Sequence, residues 1–254
     1  MNKDPLADTG EPRGYDLEVR HLKDRAVRMG GWALGMVHDG WRAYDQGDLE
    51  AAQRVLDRGA QLDQFDEAME HATIAFLVLR QPAAVDLRTA AGLLKSTTHL
   101  DRIGRLGFDM ARIASPEPAK ENPALRTLLQ QMDDVVESMI RQTIDALNRD
   151  DVELARQLFR RDDAVDTMHR QANRLIIAGF EKSGAPVRRL AGDLLVARHF
   201  ERIADNACKV GEKTIYALTG QRRSEYLPRH ATRPYVSETP PSGPEPYSTE
   251  PKAP

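Results

Sequence analysis

The sequence contains the same pattern twice, about one hundred residues apart. Residues 48–58, DLEAAQRVLDR, match residues 151–161, DVELARQLFRR; residues 99–105, HLDRIGR, match residues 199–205, HFERIAD. Two matches in the same order and at similar offsets indicate a duplicated structural unit. We therefore expect the chain to fold as two copies of one unit, joined near the proline-rich stretch 116–123.

Each copy has the pattern of three long helices. No segment shows the two-residue alternation of a half-buried strand, and pairs such as Gly47-Asp48 can end one helix and cap the next. Six helices are predicted, at about 17–45, 48–80, 86–114, 123–148, 151–182 and 187–219. These segments predict an all-α fold of two tandem three-helix bundles, residues 15–115 and 123–220.

The two ends of the chain have a different composition. Residues 1–14 are polar and contain two prolines and two glycines, and residues 221–254 are rich in Pro, Ser, Thr and Glu. Such segments cannot bury enough apolar surface to offset their chain entropy. We expect a flexible N-terminal arm and a disordered C-terminal tail.

Composition argues against several classes of function. The net charge of -3 gives no reason to expect direct binding to nucleic acid. The one cysteine, Cys208, excludes an internal disulfide and a multi-cysteine zinc site and favours a reducing compartment. No apolar run reaches the ~18 residues of a membrane-spanning helix, and the N-terminal residues lack the apolar region of a secretory signal. We expect a cytoplasmic protein that reaches a membrane only through partners.

The last predicted helix carries an acidic residue where its pattern predicts an apolar one. Leu194, Glu201, Cys208 and Ile215 recur every seven residues and so form one stripe along the helix. Asp205 lies one turn after Glu201, on the flank of the stripe. Burying an unpaired charge is costly, so a carboxylate in a packed seam needs a partner.

The preceding helix carries a second acidic pair, Asp162 and Asp166. Antiparallel packing of the two helices would bring four carboxylates together: Asp162, Asp166, Glu201 and Asp205. Oxygen donors without thiolates suit a hard or borderline cation, so we predict one divalent or ferric ion (Fe, Mn, Mg, Ca or Zn), with no bound ion as the alternative. In that alternative, the nearby Arg202 and Lys209 neutralise the last two acids on a solvated helix face.

The first repeat has kept only half of these acids. Asp63 and Asp101 remain, while the other two positions hold Gly59 and Arg105. Arg105 follows Asp101 by four residues, the spacing of an ion pair on a helix surface. We expect this ion pair to take the place of a metal, which makes Asp63 and Asp101 the weaker candidate ligands.

Several of these segments together resemble the PhoU family. The matching stretches are residues 28–31 (RMGG), 79–88 (LRQPAAVDLR), 100–104 (LDRIG), 161–166 (RDDAVD), 197–206 (ARHFERIADN) and 215–220 (IYALTG). The resemblance covers about residues 15–221. It implies two symmetric three-helix bundles whose E/D-x-x-x-D motifs bind metal clusters, here Asp162–Asp166 and Glu201–Asp205.

The resemblance also implies a function. PhoU-like proteins are non-enzymatic negative regulators that link the ATPase of a phosphate transporter to a sensor histidine kinase. For this chain it implies a homodimeric adaptor in phosphate uptake and phosphate-starvation signalling, with an indirect effect on transcription. Two alternatives stay open: a carboxylate-bridged metal oxidase or hydrolase that depends on Glu201 and Asp205, and a metal-storage protein.

Overall fold

The computed structural model describes residues 16–116, 122–182 and 186–226. The predicted N-terminal arm and residues 227–254 of the predicted tail lie outside these ranges. The described part of the chain contains seven helices and no strand, so the all-α prediction is confirmed. None of these helices combines the length and the apolar character needed to cross a membrane.

The helices begin and end close to the predicted limits. Six of them are long: α1 (Asp16–Gln46), α2 (Leu49–Arg80), α3 (Ala84–Arg112), α4 (Pro123–Arg149), α5 (Val152–Phe180) and α6 (Val187–Thr219). The seventh, α7 (Arg223–Tyr226), is a single turn near the start of the predicted tail and lies outside the compact unit that ends at Arg222.

Equivalent side-chain caps begin the middle helix of each repeat. A carboxylate oxygen of Asp48 accepts a hydrogen bond from the backbone N–H of Ala51 at 2.9 Å. Asp151 accepts one from the N–H of Leu154 at the same distance, 2.9 Å. These bonds satisfy N–H groups that the first turn of a helix leaves without a partner. The duplication detected in the sequence is therefore also present in the local structure.

The two repeats form two three-helix bundles that run in opposite directions. Helices α1, α2 and α3 pack together, α4, α5 and α6 pack together, and α3–α6 and α1–α4 contacts join the bundles. Near the start of α1, Lys23 contacts Asp150 at the end of α4 (2.6 Å). Near the end of α1, Tyr44 contacts Asp193 at the start of α6 (2.8 Å). The α2–α3 and α5–α6 hairpins therefore lie at opposite ends of the molecule.

Two glycines allow α1 and α3 to pack with their backbones in contact. A Cβ atom added at Gly40 would lie 2.3 Å from the carbonyl oxygen of Gly107. A Cβ added at Gly107 would lie 2.5 Å from the carbonyl oxygen of Met36. Since no side chain fits at either position, glycine is required for this close approach.

The predicted apolar stripe on α6 is only partly buried. Cys208 and Ile215 lie in the core, with 2% and 0% exposure, whereas Leu194 is 41% exposed. The prediction that Leu194 faces the core was wrong. An α-helix with 3.6 residues per turn drifts by about 20° per heptad from a strict seven-residue repeat. The stripe therefore leaves the packed face over the three heptads between Ile215 and Leu194.

Candidate functional site

The acidic residues of the second repeat lie on the facing helices α5 and α6. Asp166 and Glu201 are half-buried, and Asp205 is exposed. Burial raises the pKa of Glu201; the Arg198 guanidinium opposes this effect, and the carboxylates of Asp205 and Asp166 add to it. These three acids are thus close enough to interact. Asp162, also half-buried, lies one turn before Asp166 on α5.

Basic residues of α6 contact two of these acids. Lys209 Nζ lies 3.3 Å from Asp205 Oδ2, as expected for a solvated pair. The basic residue paired with Glu201 is Arg198, with Nη1 3.0 Å from Oε2, whereas the sequence analysis pointed to Arg202. Glu201 Oε2 is nevertheless buried and accepts no hydrogen bond from the described residues, because the Arg198 contact has the distance but not the angles of a hydrogen bond.

The acids of the second repeat have the right type of donor atom for a metal ion, but their side chains do not converge on one point. Their oxygen donors suit a hard cation. The Glu201 oxygen that accepts no hydrogen bond lies 3.0 Å from Arg198 Nη1, so a bound ion would have to displace that guanidinium. Across residues 16–116, 122–182 and 186–226, however, no three His, Cys, Asp or Glu side chains converge closely enough to hold a metal ion. Asp205 could bind the same metal ion as the other acids only if its ion pair with Lys209 were broken. Metal binding therefore stays a prediction.

In the first repeat, an arginine occupies the centre of the corresponding acids. Arg105 Nε donates to Asp101 Oδ2 at 2.9 Å, and Arg105 Nη2 forms an ion pair with Asp63 on α2. The predicted Asp101–Arg105 ion pair is confirmed. The guanidinium joins α2 to α3 and places a positive charge where the second repeat has Asp205.

A third acid, Asp66, belongs to this group and was missed by the sequence analysis. Burial raises the pKa of Asp101 to about 6, and the neighbouring Asp66 carboxylate contributes next. Burial also raises the pKa of Asp66 itself. Asp66 lies three residues after Asp63, on the same face of α2, and it occupies the position that His169 occupies in α5. The three-residue spacing of Asp63 and Asp66 was the feature of the sequence that could have identified Asp66.

A buried group of side chains ties the end of α1 to the start of α6. Tyr44 Oη donates to Asp193 Oδ1 at 2.8 Å, and Arg189 Nε lies 3.1 Å from the same carboxylate oxygen. The Arg189 guanidinium also lies 4.0 Å from the centre of the Tyr44 ring, a cation–π contact. Burial raises the pKa of Tyr44 and also that of Asp193. We call these three residues the Tyr44 clasp.

Exposed apolar side chains concentrate at the two hairpin ends of the molecule. Of the twelve large ones exposed in the described part of the chain, ten lie on the helices of the α2–α3 and α5–α6 hairpins, near their turns. The α2–α3 end has Ile74, Val78, Leu79, Val85 and Leu87, and the α5–α6 end has Ile177, Phe180, Val187, Leu194 and Leu195. Ile74 and Ile177 occupy the same position when counted from the matching helix caps. Clustered exposed apolar residues are typical of interaction sites.

Comparison with known protein families gives one match in each repeat. The model of the PhoU domain matches residues 26–114 and again residues 129–214, which together make up more than half of the chain. The chain belongs to the PhoU family. The resemblance noted in the sequence is confirmed, and the two PhoU domains correspond to the two bundles.

Individual relatives match over most of their length. A PhoU homolog from Caulobacter vibrioides, described as a phosphate-specific transport system accessory protein, is 28% identical over 218 residues, 85% of this chain and 95% of the relative. A homolog of the same description from Clostridium acetobutylicum is 25% identical over 209 residues, 82% of this chain and 95% of the relative.

Solved structures of PhoU proteins have the same fold. PhoU from Pseudomonas aeruginosa has a TM-score of 0.77 and 28% identity, and the match covers 82% of this chain and 100% of that protein. PhoU from Streptococcus pneumoniae has a TM-score of 0.74 and 23% identity, with 82% and 98% covered. Between the two matched repeats of this chain, Gly59 and Arg105 stand where the second repeat has Asp162 and Asp205.

Proposed function

We propose that this PhoU-family protein is a non-enzymatic regulator of phosphate uptake and phosphate-starvation signalling that acts in the cytoplasm through protein–protein contacts. The observation that carries the proposal is the match to both PhoU domains. It is supported by relatives described as accessory proteins of the phosphate-specific transport system, which match over 95% of their length.

The distribution of exposed apolar residues supports an adaptor. Val78 and Leu79 at the α2–α3 end are 65% and 75% exposed, and Ile177 at the α5–α6 end is 57% exposed. Because the hairpins lie at opposite ends, two partners can bind without competing for one surface. In our proposal, the transporter ATPase occupies one end and the cytoplasmic part of a sensor histidine kinase occupies the other.

A genetic experiment tests the regulatory role. Deletion of the gene should leave phosphate-starvation promoters active when phosphate is abundant, and the intact gene should restore repression. Val78→Glu and Ile177→Glu should each fail to restore it while the purified variants melt like the wild type. Gln64→Glu, an exposed change on α2 outside the apolar cluster, serves as the control. A deletion strain with an unchanged starvation response contradicts the proposal.

The predicted homodimer is part of this proposal and has its own test. Sedimentation velocity at micromolar concentration should give a species of twice the chain mass of 28.4 kDa. A single species with the mass of one chain rejects the homodimer and leaves the regulatory role untouched.

We also propose that a metal ion binds in the second repeat and not in the first. The second repeat is favoured because it has acids at four matching positions where the first repeat has two, and the Arg105 guanidinium pairs with both of those in the first. Elemental analysis of protein purified without chelator should show metal that is lost in Glu201→Ala and Asp162→Ala but kept in Asp101→Ala. Equal metal in all four proteins, or none in any of them, contradicts this assignment.

The same preparations separate the regulator from the two alternatives. Oxygen consumption or phosphoester hydrolysis that depends on Glu201 and Asp205 would favour a metal enzyme. Many ions per chain would favour metal storage. If the protein is a non-enzymatic regulator, we expect neither result.

A further inference from the structure

The seam between the two bundles opens into a pocket at the end of the molecule where α1 and α3 begin and α4 and α6 end. The pocket has a volume of about 210 Å³. The residues that line it include the apolar Leu93, Leu147 and Ala217 and the polar Ser96 and Lys213. An apolar cavity of ~150 Å³ is large enough to bind benzene. We call this space the seam pocket.

Ser96 places an unpartnered hydroxyl at the pocket. Its side chain is fully buried, and among the residues that the structure describes its Oγ has no hydrogen-bond partner. Two neighbouring hydroxyls behave differently: Thr97 donates to the carbonyl of Leu94 at 2.8 Å, and Thr214 donates to that of Val210 at 3.1 Å. Buried hydroxyls without a partner are uncommon in folded proteins. Ser96 therefore marks the pocket as a place for a polar group from outside the fold.

The pocket also carries an unneutralised positive charge. Lys23 lies at its rim but is paired with Asp150 at 2.6 Å. Lys213, on α6, has no ion pair within residues 16–116, 122–182 and 186–226. One net positive charge beside apolar walls favours an anion that has an apolar body. A small hydrated ion would lose its water against these walls without replacement.

The opposite end of the molecule shows what size of group fits. A pocket between α1, α4 and α6 there has a volume of only about 30 Å³. Next to it, the Tyr44 ring packs on Gly192 and the Tyr44 hydroxyl donates to Asp193. Counted from the matching helix caps, the position of Tyr44 is held by Leu147 in the second repeat. Counted from the matching acids of α3 and α6, the position of Asp193 is held by Leu93. The seam pocket therefore lies beside two leucines that take the positions of Tyr44 and Asp193, where the other end has the Tyr44 clasp.

We propose that the seam pocket binds a small amphipathic carboxylate of about the size of a tyrosine side chain. Lys213 supplies the charge, the Ser96 hydroxyl supplies a hydrogen bond, and Leu93, Leu147 and Ala217 cover the apolar body of the ligand. The pocket is lined by α1, α3, α4 and α6, so the ligand contacts both bundles. Its binding stabilises one packing of the two bundles relative to any other. The pocket does not include the acids on α5 and α6, but it lies at the α2–α3 end and shares Val85 with the exposed apolar residues there. Ligand binding is measured on the purified chain, so its test does not depend on the proposed regulatory partners.

Titration of the full chain with hexanoate, 1-hexanol and inorganic phosphate, followed by calorimetry and by backbone amide NMR shifts, tests this site. Hexanoate should bind saturably, with shifts at the residues of the seam pocket. Lys213→Met should weaken hexanoate about tenfold, the size expected for one charge-assisted contact, and should leave 1-hexanol unchanged. Lys209→Met, on the same helix but outside the pocket, should bind like the wild type.

Filling the pocket gives a second, independent readout. Leu147→Tyr places a tyrosine in the seam pocket, the residue type found at the matching position of the other end. Ala217→Leu narrows the seam pocket from α6. Each variant should abolish binding of hexanoate and of 1-hexanol. The second variant covers the case in which the first does not fold. Absence of saturable hexanoate binding, equal affinity in Lys213→Met and the wild type, or phosphate binding as tight as hexanoate would each overturn the proposal.

Discussion

Tyr44 and Asp193, from different repeats, are joined by a 2.8 Å hydrogen bond that is buried inside the seam between the bundles. The contact closes one end of the molecule. It depends on two residues 149 positions apart in the chain, so it forms only when both bundles are folded and docked.

Replacing Tyr44 by Phe should therefore weaken the docking of the two bundles. The ring stays in place, but the buried Asp193 carboxylate loses a donor and keeps only Arg189. Loss of one partner of a buried charged group destabilises by about 2 kcal/mol. Urea unfolding at pH 7 measures the change. Tyr216→Phe, a half-buried tyrosine on α6, is the control and should differ from the wild type by much less; equal losses in the two variants would contradict the assignment.

Asp133 should make the stability depend on pH. It is 4% exposed, and burial raises its pKa to about 8, with Glu137 and Asp134 adding to the effect. The folded chain therefore keeps a proton that the unfolded chain releases near pH 4, the ordinary pKa of aspartate, so its contribution to stability falls as pH rises from about 4 to about 8.

Asp133→Asn should remove this pH dependence. We expect the variant to be about 2 kcal/mol more stable than the wild type at pH 8.5 and nearly equal to it at pH 4. Chemical denaturation across this range measures the difference. Asp134→Asn, exposed on the same helix, is the matched control. A stability difference that is the same at both pH values would show that the Asp133 proton is not its cause.

Arg105→Asp should give the first repeat the acid that the second repeat has at Asp205. Removing the cation frees Asp101 and Asp63, so calorimetric titration with Mn²⁺ should detect one more bound ion per chain than in the wild type. Without metal, the variant should lose about 2 kcal/mol, because the half-buried Asp101 loses its cation and gains a second acidic neighbour. Arg102→Asp, exposed on the same helix, should not gain an ion; equal gains in both variants would reject the role of position 105.

Gly40→Ala should be strongly destabilising. Its new Cβ would lie 2.3 Å from the carbonyl oxygen of Gly107, and neither backbone can move without separating α1 from α3. Overpacking of this kind costs about 3 kcal/mol. Gly31→Ala, on the same helix with nothing within 4 Å of the new Cβ, should instead stabilise by up to about 1 kcal/mol. Thermal melting of the two variants measures both effects, and a loss in Gly31→Ala equal to that in Gly40→Ala would contradict the explanation.

The fold could be predicted because its signals are local. Helix caps such as Asp48 and Asp151 act within one turn, and the Asp101–Arg105 ion pair follows from a spacing of four residues on one helix. The repeat itself is visible without any knowledge of the packing. These features do not depend on how the two bundles meet.

The remaining features depend on distant parts of the chain. Asp66 matters because α2 lies beside α3, and the Tyr44–Asp193 contact and the seam pocket exist because the bundles run in opposite directions. No pattern on one helix predicts which residues of another will face it. Leu194 was placed wrongly for a different reason, since a seven-residue pattern on a straight helix does not stay on one face.

The opposite orientation of the bundles has an evolutionary consequence. Each pole of the molecule is assembled from the hairpin of one repeat and helix ends of the other, so each pole can be altered by a substitution in either repeat. The poles now differ at two matching positions, Tyr44 against Leu147 and Asp193 against Leu93. The interior of the molecule is therefore asymmetric, even though the two repeats share one pattern.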